Sequence, residues 1–579
     1  MNLFKHFSLR WMILAIAFLG VGIYLVAPVF GWRFALPFLQ VTNQLFADGD
    51  TRVIGRFEWT EAIKVVPAEF EHLTLDLNYH DSWYPSDSEL ALLQNNKPLM
   101  VTVRTWSWKA DSYYDNPLND VVAGEYDDLF RQFLTQLPRK GENVFIRFDP
   151  DVEVPVRQYP WQQFPRIFIG AFRRFAELRS EVAPRAGMVW AAAGYPGAME
   201  YYPGDDVVDA ASVTCGYSAE RQLDAYPRPD TRETDLYRRL HRLRFLRVPV
   251  FAVTEDGYTE ELPDLEKVAD KLRSGPDAVY GHPPAGDPDR PEDFRSGDAF
   301  VFGLYDPQER LLQTPEVDAE HLFTDFDRIR DGRFDSLFRA AQDRGHATIV
   351  SFEPFYTPIE ESDRDVLRNV VAGRYDAELM QLFRTLRSAR QPVWLRYAHE
   401  MEIPIERYPW QSQDPQDYIA SWRYVMAHDS LPEGIRRVWG PAGDRGSLEW
   451  YPGDEYVDLI SIAIYGLPDK NITDPEKQES FEVIFKRKMW RMRFVSKPVF
   501  VTEFGVKGPE EYQTRWLEGA AQTLREDRRV VGVNYFNMSD TPKAWGEIKP
   551  PDWSITRATL ERFTGLLEAP ASSARPEFK

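Results

Sequence analysis

The sequence predicts an α/β protein in which two tandem (β/α)8 barrels of the TIM type follow one N-terminal transmembrane helix. Three observations support this prediction. The chain of 579 residues repeats itself at an offset of about 249 positions, each copy alternates short apolar runs with helix-like segments, and an uncharged apolar segment lies near the N-terminus. A chain of this length is also longer than one hydrophobic core usually supports, so several domains are expected.

The apolar segment comprises residues 11–32 and contains no charged side chain. Its 22 residues are enough for a helix to cross roughly 30 Å of hydrocarbon. Lys5 and Arg10 precede it, which predicts a cytoplasmic N-terminus and an external remainder. A cleaved signal peptide usually has a shorter apolar region, of about 7 to 15 residues, so an uncleaved anchor is favoured. Residues 1–35 are therefore predicted to form a cytoplasmic stub and a single-pass anchor in the inner (cell) membrane, with the rest periplasmic or extracellular.

The internal repeat holds its register over most of the chain. The junction between the copies, near residues 281–297, is rich in Pro, Gly and Asp. We expect one domain over residues 48–290 and another over residues 298–570, each near the roughly 250 residues of an ordinary β/α barrel. The matching pairs are Glu71-His-Leu with Glu320-His-Leu, Val122-Ala-Gly with Val371-Ala-Gly, Trp190 with Trp439, and Tyr202-Pro-Gly-Asp with Tyr451-Pro-Gly-Asp.

Each copy contains eight short apolar runs separated by helix-like segments such as residues 376–389, a pattern typical of parallel strands with helical crossovers. The last βα unit of the first copy is shorter, so closure of that barrel is less strongly indicated. The predicted strands of the second copy are 300–305, 320–326, 346–352, 392–398, 435–439, 457–465, 497–503 and 530–536. Those of the first copy are 52–57, 71–77, 98–104, 143–148, 187–191, 207–214, 248–254 and 276–280.

Composition excludes some classes of function. A formal net charge of -21 argues against nucleic acid as a partner, because binding phosphates requires clustered Lys and Arg. The single cysteine, Cys215, excludes an internal disulfide framework. The 17 Trp and 27 Tyr residues are compatible with sugar stacking, although aromatic side chains also fill cores.

Two carboxylates lie where the active residues of such barrels are found, at the C-terminal ends of strands. Glu400 follows the fourth run of the second copy and Glu503 ends the seventh. Strands four and seven lie on opposite walls of an eight-stranded ring, so these residues would face each other across its mouth. Cleavage of a glycosidic bond needs two carboxyl groups, one that protonates the leaving oxygen and one that attacks or activates water. A single Glu at a strand end is more often an exposed rim charge, but two at these strands favour catalysis.

A metal site is the alternative interpretation, because His399-Glu400 begins like the helix of a zinc peptidase. That motif requires a second His four residues after the first, and the residue there is Ile403. Pro404 would also break the helix. We therefore predict no metal and no cofactor, and no serine-nucleophile elbow is evident.

The second copy resembles glycoside hydrolase family 26, a family of retaining β-mannanases and β-glucanases. The resemblance covers most of residues 298–570. It implies that Glu400 is the acid/base and Glu503 the nucleophile, that Arg396 and Tyr465 orient the nucleophile, and that His399 contacts the substrate or the acid/base. The matching motifs are Arg396, His399-Glu-Met, Tyr408-Pro-Trp, Trp439, Tyr451-Pro-Gly-Asp-Glu-Tyr-Val-Asp, Tyr465 and Thr502-Glu-Phe-Gly.

The residues themselves leave some of these roles open. Arg396 and Glu400 are four positions apart on one strand and point to the same side, so Arg396 could pair with Glu503 or form a core-capping ion pair. Trp410, Trp439 and Trp545 are candidates to stack on sugar faces, and core packing is the alternative for each.

The first copy departs from the pattern at its centre. The stretch RYAHEMEIPIERYPW, which begins at Arg396, corresponds to RFDPDVEVPVRQYPW, which begins at Arg147. Pro150-Asp151 replaces His399-Glu400, and Glu255 corresponds to Glu503 only after a slip of one residue. We interpret this copy as catalytically silent or nearly so, with glycan binding or buttressing of the active barrel as its remaining roles.

The sequence therefore predicts a membrane-anchored retaining endo-β-glycosidase that hydrolyses a β-linked polysaccharide, either a β-glucan or a β-mannan. A tether of this kind would place the enzyme beside a polysaccharide synthase or export complex of its own cell. The rival hypothesis is a catalytically silent scaffold that binds or assembles an exopolysaccharide. The Glu400 and Glu503 pair argues against the rival.

Overall fold

The computed structural model describes residues 51–568, except for residues 60–62, 79–82, 106–115, 138–142, 155–158, 216–230, 255–260, 276–291, 296–299, 406, 467–478 and 541–548. The predicted membrane anchor at residues 11–32 and the junction near residues 281–297 fall wholly or mostly outside this part. No helix within the described residues is long and apolar enough to cross a bilayer.

The first copy forms one sheet of eight strands in the order β2-β1-β8-β7-β6-β5-β4-β3. Strands β3 to β8 run parallel to one another. The strands are β1 (Val53–Glu58), β2 (Lys64–Val66), β3 (Glu71–Asp76), β4 (Leu99–Arg104), β5 (Val144–Phe148), β6 (Gly187–Ala191), β7 (Ala210–Cys215) and β8 (Val250–Thr254). The helices are α1 (Asp87–Gln94), α2 (Pro117–Ala123), α3 (Asp127–Leu134), α4 (Pro165–Val182), α5 (Arg232–Arg242) and α6 (Leu265–Arg273).

The prediction of a closed parallel barrel for the first copy is wrong at its first strand. Strand β1 pairs antiparallel with β8 and turns back into β2. It occupies the position beside β8 where a parallel eighth strand would close the ring. Val53 and Phe57 are buried at alternate positions of β1, so its apolar face covers the core in either direction. The six parallel strands and this hairpin form an open sheet among the described residues, and the predicted strand at 276–280 lies outside them.

The second copy is a closed barrel of eight parallel strands, as predicted, and each predicted run corresponds to a strand within about two residues. Closure comes from β16, which pairs with β9 from Gly532↔Val301 to Phe536↔Tyr305. The strands are β9 (Val301–Tyr305), β10 (Ala319–Asp325), β11 (Ala347–Glu353), β12 (Val393–Tyr397), β13 (Arg436–Trp439), β14 (Leu459–Gly466), β15 (Val499–Val506) and β16 (Val530–Phe536). The helices are α7 (Phe326–Arg330), α8 (Arg333–Asp343), α9 (Val366–Val371), α10 (Asp376–Arg387), α11 (Pro415–Met426), α12 (Phe481–Arg491), α13 (Glu510–Glu526) and α14 (Arg557–Glu568).

The interior of the second barrel is apolar where the strands begin and polar towards their ends. Side chains near the strand starts, including Ile349, Val438 and Phe500, form a separate buried cluster. Because side chains on one face of a strand recur every second residue, Ile349 is followed on the same face by Ser351 and then Glu353. The strand ends therefore present polar groups at the mouth of the barrel, and apolar side chains fill its base.

Candidate active site

Glu503 lies at the mouth of the second barrel, on β15 beside a break in the strand register. The pairing of β14 with β15 shifts between Ser461 and Ala463, so that Ala463 is opposite Glu503. A bulge of this kind adds a residue and changes the direction in which a side chain points. In the first copy β7 and β8 pair without such a shift. The bulge is therefore specific to the intact copy.

Both oxygens of the Glu503 carboxylate accept a hydrogen bond. The fully buried Arg396 forms an ion pair with Oε1 through Nη1, and the hydroxyl of Tyr465 donates to Oε2 over 3.0 Å. Arg396 Nη1 also donates to Ser351 Oγ over 3.3 Å, which ties the guanidinium to the barrel wall. The structure thus brings together three of the residues singled out in the sequence, and the carboxylate of Glu503 is held in one orientation.

Glu400 lies just after β12 on a backbone of unusual conformation. Its φ is 54° and that of Ala398 is 45°, values that side chains other than glycine rarely adopt. Two backbone hydrogen bonds of Glu400 hold the loop. The Glu400 N–H donates to the Gly440 carbonyl over 2.8 Å, and the Glu400 carbonyl accepts from Gln411 Nε2 over 3.0 Å. A left-handed backbone at a non-glycine residue is frequent at functional sites.

The carboxyl of Glu400 favours its protonated form. Burial raises its pKa, and the negative charge of Glu503 raises it further, to about 8. Glu402 acts in the same direction, while Arg396 and Lys488 act against it. The site therefore combines a carboxylate held by two donors with a neighbouring carboxyl that keeps its proton at neutral pH.

Glu353 is a third carboxyl at the mouth that the sequence analysis missed. It ends β11, and its Oε1 lies 3.9 Å from His399 Nε2. Burial raises its pKa to about 7, and the charges of Asp325 and Glu503 act in the same direction. The signal for it was present, since Glu353 directly follows the third predicted run, 346–352.

His399 lies in the wall of the site, 5.9 Å from Phe323 and 5.8 Å from Tyr408 between ring centroids. Burial lowers its pKa well below the usual value, and the charge of Arg396 lowers it further, so the imidazole is neutral. The structure therefore places the His399 ring beside Glu353.

The tryptophans expected to stack on sugars are corrected by the structure. Trp410 and Trp439 are both 0% exposed, so neither offers a ring face to a ligand. Trp410 stacks on Tyr408 at 4.5 Å and donates its Nε1 to the His399 carbonyl over 2.8 Å. Trp439 packs edge-on against Tyr451 at 5.0 Å. Both belong to the core under the site, and Trp545 lies outside the described residues.

Partly exposed aromatic rings line the mouth instead. Tyr305 is 5.0 Å from Phe323 and 4.7 Å from Phe536, and Phe536 is 6.0 Å from Tyr465. Tyr305, Phe323 and Phe536 lie at or near the C-terminal ends of β9, β10 and β16. The carboxylates were predicted from the same position on other strands. Aromatic side chains arranged around the mouth in this way offer apolar faces to the hydrophobic sides of sugars.

The Trp439→Ala variant is expected to lose stability and keep its affinity for substrate. Removal of a buried Trp side chain costs about 3 to 5 kcal/mol of unfolding free energy, measured by denaturant titration. The matched variant is Phe323→Ala, at the partly exposed mouth, which should raise KM with a smaller loss of stability. A raised KM for Trp439→Ala with unchanged stability would contradict this placement.

The first copy keeps the backbone of the site but not its chemistry. Asp149, Asp151 and Gln163 have φ values of 38°, 61° and 72°, at the positions equivalent to Ala398, Glu400 and Ser412, whose φ values are also positive. The Asp151 carboxylate accepts from Thr214 Oγ1 over 2.6 Å. Arg147, the equivalent of Arg396, donates to Ser212 and Thr102, each over 3.2 Å. Glu255, the counterpart of Glu503, lies outside the described residues.

Comparison with known proteins finds one family model that matches part of the second copy. The model of Glycosyl hydrolase family 26 matches residues 350–492. The β-1,3-xylanase TXYA of Vibrio sp. is 28% identical over 157 residues, which are 25% of this chain and 30% of the relative. A β-1,3-xylanase of Alcaligenes sp. is 26% identical over 155 residues, which are 25% of this chain and 29% of the relative. The chain thus spans less than a third of the length of the curated relatives that it matches.

The comparison with solved structures also gives a match. The modular endo-β-1,4-mannanase of Cellulomonas fimi is 17% identical, with a TM-score of 0.36, and the match covers 47% of this chain and 71% of that one. The family match includes Glu353, Arg396 and Glu400, together with Tyr465, and it ends before Glu503.

Proposed function

Because the chain carries a domain of the glycosyl hydrolase family 26 type, we propose that it is a retaining endo-β-glycosidase with its active site in the second barrel. Glu503 acts as the nucleophile and Glu400 as the acid/base. One observation carries the proposal: at the mouth of a closed barrel, a carboxylate oriented by Arg396 and Tyr465 neighbours a carboxyl whose pKa is raised to about 8.

The proposed reaction has two steps. In the first, Glu503 attacks the anomeric carbon while Glu400 donates its proton to the leaving oxygen, which gives a covalent glycosyl-enzyme. As the negative charge of Glu503 is consumed in the bond, it no longer raises the pKa of Glu400, so Glu400 stays ionised after it has given up its proton and can act as the general base. In the second step Glu400 takes a proton from water, which attacks the anomeric carbon and releases a product of unchanged configuration.

The substrate that we propose is a β-linked polysaccharide. The names of the relatives refer to β-1,3-xylan and β-1,4-mannan, so these two belong in the first panel beside β-glucans. The membrane anchor at residues 11–32 and a neighbouring synthase or export complex are part of the same proposal.

The pH dependence follows from the acid role of Glu400. With a pKa raised to about 8, this carboxyl is protonated below that value and ionised above it. We expect kcat/KM to fall as the pH rises through about 8, since only the protonated form can donate to the leaving oxygen. The measurement is a pH–rate profile on a soluble β-glycan. An alkaline limb near pH 5 would contradict the assignment of Glu400.

The direct test of the proposal is release of reducing ends from mannan, xylan and mixed-linkage β-glucan by the full chain. Activity on one of these polymers that is lost in Glu503→Ala supports the enzyme. Binding of a polymer without hydrolysis by the unmutated chain would instead support the polysaccharide-binding scaffold.

A further inference from the structure

We propose that the silent first barrel positions the acid/base loop of the second, through a buried contact centred on Glu449. This inference rests on the proposed function, because it concerns the residue that acts as the acid/base. It assigns a role to the first copy that differs from catalysis and from glycan binding. The contact runs from α5 of the first copy, through the turn of 3-10 helix Ser447–Trp450, to Glu402 beside Glu400.

Glu449 is enclosed by cationic side chains of the first copy. Its Oε1 accepts from Arg238 Nε and Nη2 over 2.9 and 2.8 Å, and its Oε2 accepts from Arg242 Nε over 2.9 Å. The residue is only 4% exposed. Burial alone would raise the pKa of this carboxyl, but the two arginines outweigh it and the pKa is lowered. A charge-assisted contact of this geometry fixes both partners in direction as well as distance.

The backbone of the same turn is held from the first copy as well. Arg244 Nη2 donates to the carbonyls of Leu448 and Tyr451, each over 3.0 Å. His241 Nε2 lies 3.0 Å from the Glu449 carbonyl. Four side chains of one copy thus determine where a four-residue turn of the other copy sits.

The other side of this turn supports the loop that carries Glu400. Ser447 Oγ donates to Glu402 Oε1 over 2.8 Å, and the same oxygen accepts from the N–H groups of Gly443 and Asp444 over 2.9 and 3.1 Å. Glu402 is buried and lies two residues after Glu400. Because Glu400 itself has a strained backbone, it depends on neighbours that hold the loop in place. The turn therefore links the first barrel to the acid/base.

The contact has a symmetric counterpart that provides a matched control. Arg491 of the second copy donates through Nε to Glu200 Oε1 over 3.1 Å, and Arg493 donates through Nη2 to the Met199 carbonyl over 2.8 Å. Glu200 is the equivalent of Glu449, and it lies in the turn beside the silent site. The two glutamates are both largely buried in the same contact between the copies. Glu449 lies in the turn whose Ser447 binds Glu402, whereas Glu200 reaches the second copy through Arg491, which donates to the Gly443 carbonyl over 3.4 Å.

The test compares Glu449→Gln with Glu200→Gln in the full chain. Glu449→Gln removes the charge that holds the turn, so the loop should move and expose Glu400 to water. A shift of about 1 Å at a reacting group can cost on the order of 100-fold in rate, so we expect kcat to fall by roughly 10- to 100-fold with a smaller change in KM. Greater exposure should lower the pKa of Glu400, so the alkaline limb of the pH profile should move to lower pH. Glu200→Gln should leave that limb in place.

Either change weakens the contact between the two copies, so the melting temperature of both variants is measured as well. This measurement separates a loss of activity caused by a displaced Glu400 from one caused by lower stability. If Glu449→Gln does not fold, Arg242→Lys retains the charge with three N–H donors in place of five and should shift the limb in the same direction by a smaller amount. Equal kcat and equal alkaline limbs in the folded Glu449 and Glu200 variants would overturn the inference while leaving the proposed function intact. An unmutated chain without hydrolase activity would overturn both.

Discussion

The Glu503→Ala variant is expected to lose hydrolysis almost completely, with kcat lower by on the order of 10⁴- to 10⁶-fold. Removal of this side chain takes away the proposed nucleophile, and no other carboxyl is held by both Arg396 and Tyr465 among the described residues. The measurement is the initial rate of reducing-end release from the polymer that the unmutated chain degrades best. Far-UV and near-UV circular dichroism should remain unchanged.

The first copy offers a matched control for this loss. Asp151→Asn alters the position equivalent to Glu400 and retains an acceptor for Thr214. We expect it to leave kcat and KM within about twofold, because the bulge that places Glu503 is confined to the second copy. A loss in Asp151→Asn comparable with that in Glu503→Ala would show that both barrels contribute to hydrolysis.

The Glu400→Ala variant is expected to lose about 10²- to 10⁴-fold in kcat on a natural polymer, the usual contribution of a general acid/base. The loss should depend on the leaving group. An aryl glycoside whose phenol leaves without protonation needs no acid in the first step, so the glycosyl-enzyme should form and accumulate. The measurement is a burst of phenol followed by a slow steady state.

Azide supplies the second half of this test. A small anion can occupy the space left by the side chain and attack the accumulated glycosyl-enzyme without a general base. We therefore expect azide to accelerate the steady state of Glu400→Ala and to yield a β-glycosyl azide. In Glu503→Ala, azide can only attack the aryl glycoside directly, in place of the missing nucleophile, so any azide product must be the α-glycosyl azide. Equal losses on natural and activated substrates, with no azide product, would assign Glu400 a structural role.

The architecture of the second copy could be predicted because its strands are buried on both faces and bounded by turns. Such strands appear as short apolar runs, and the rule that chemistry lies at the C-terminal strand ends then selects Glu400 and Glu503. The alternation of side chains along β12 similarly placed Arg396 on the face that meets Glu503.

Features that depend on pairing between distant segments could not be predicted in this way. The apolar pattern of β1 is the same for either direction of pairing, so its antiparallel contact with β8 was not apparent. The bulge that brings Ala463 opposite Glu503 leaves no mark in the spacing of apolar residues. Burial of Trp410 and Trp439 depends on neighbours far along the chain, such as Tyr451 for Trp439.

The contacts of Glu449 could not be predicted for the same reason, because they join the two copies. In the sequence it is an ordinary acidic residue in a turn, whereas in the structure Arg238 and Arg242 enclose it. Its partners are 211 and 207 residues away along the chain. The duplication therefore produced a contact that neither copy reveals alone.

The configuration of the first product tests the central claim most directly. Proton NMR of a fresh digest distinguishes α- from β-anomeric protons before mutarotation equilibrates them. With Glu503 as nucleophile and Glu400 as acid/base, the β-anomer must appear first and the α-anomer must grow in later. Appearance of the α-anomer first would mean direct attack by water, and it would contradict a covalent intermediate on Glu503.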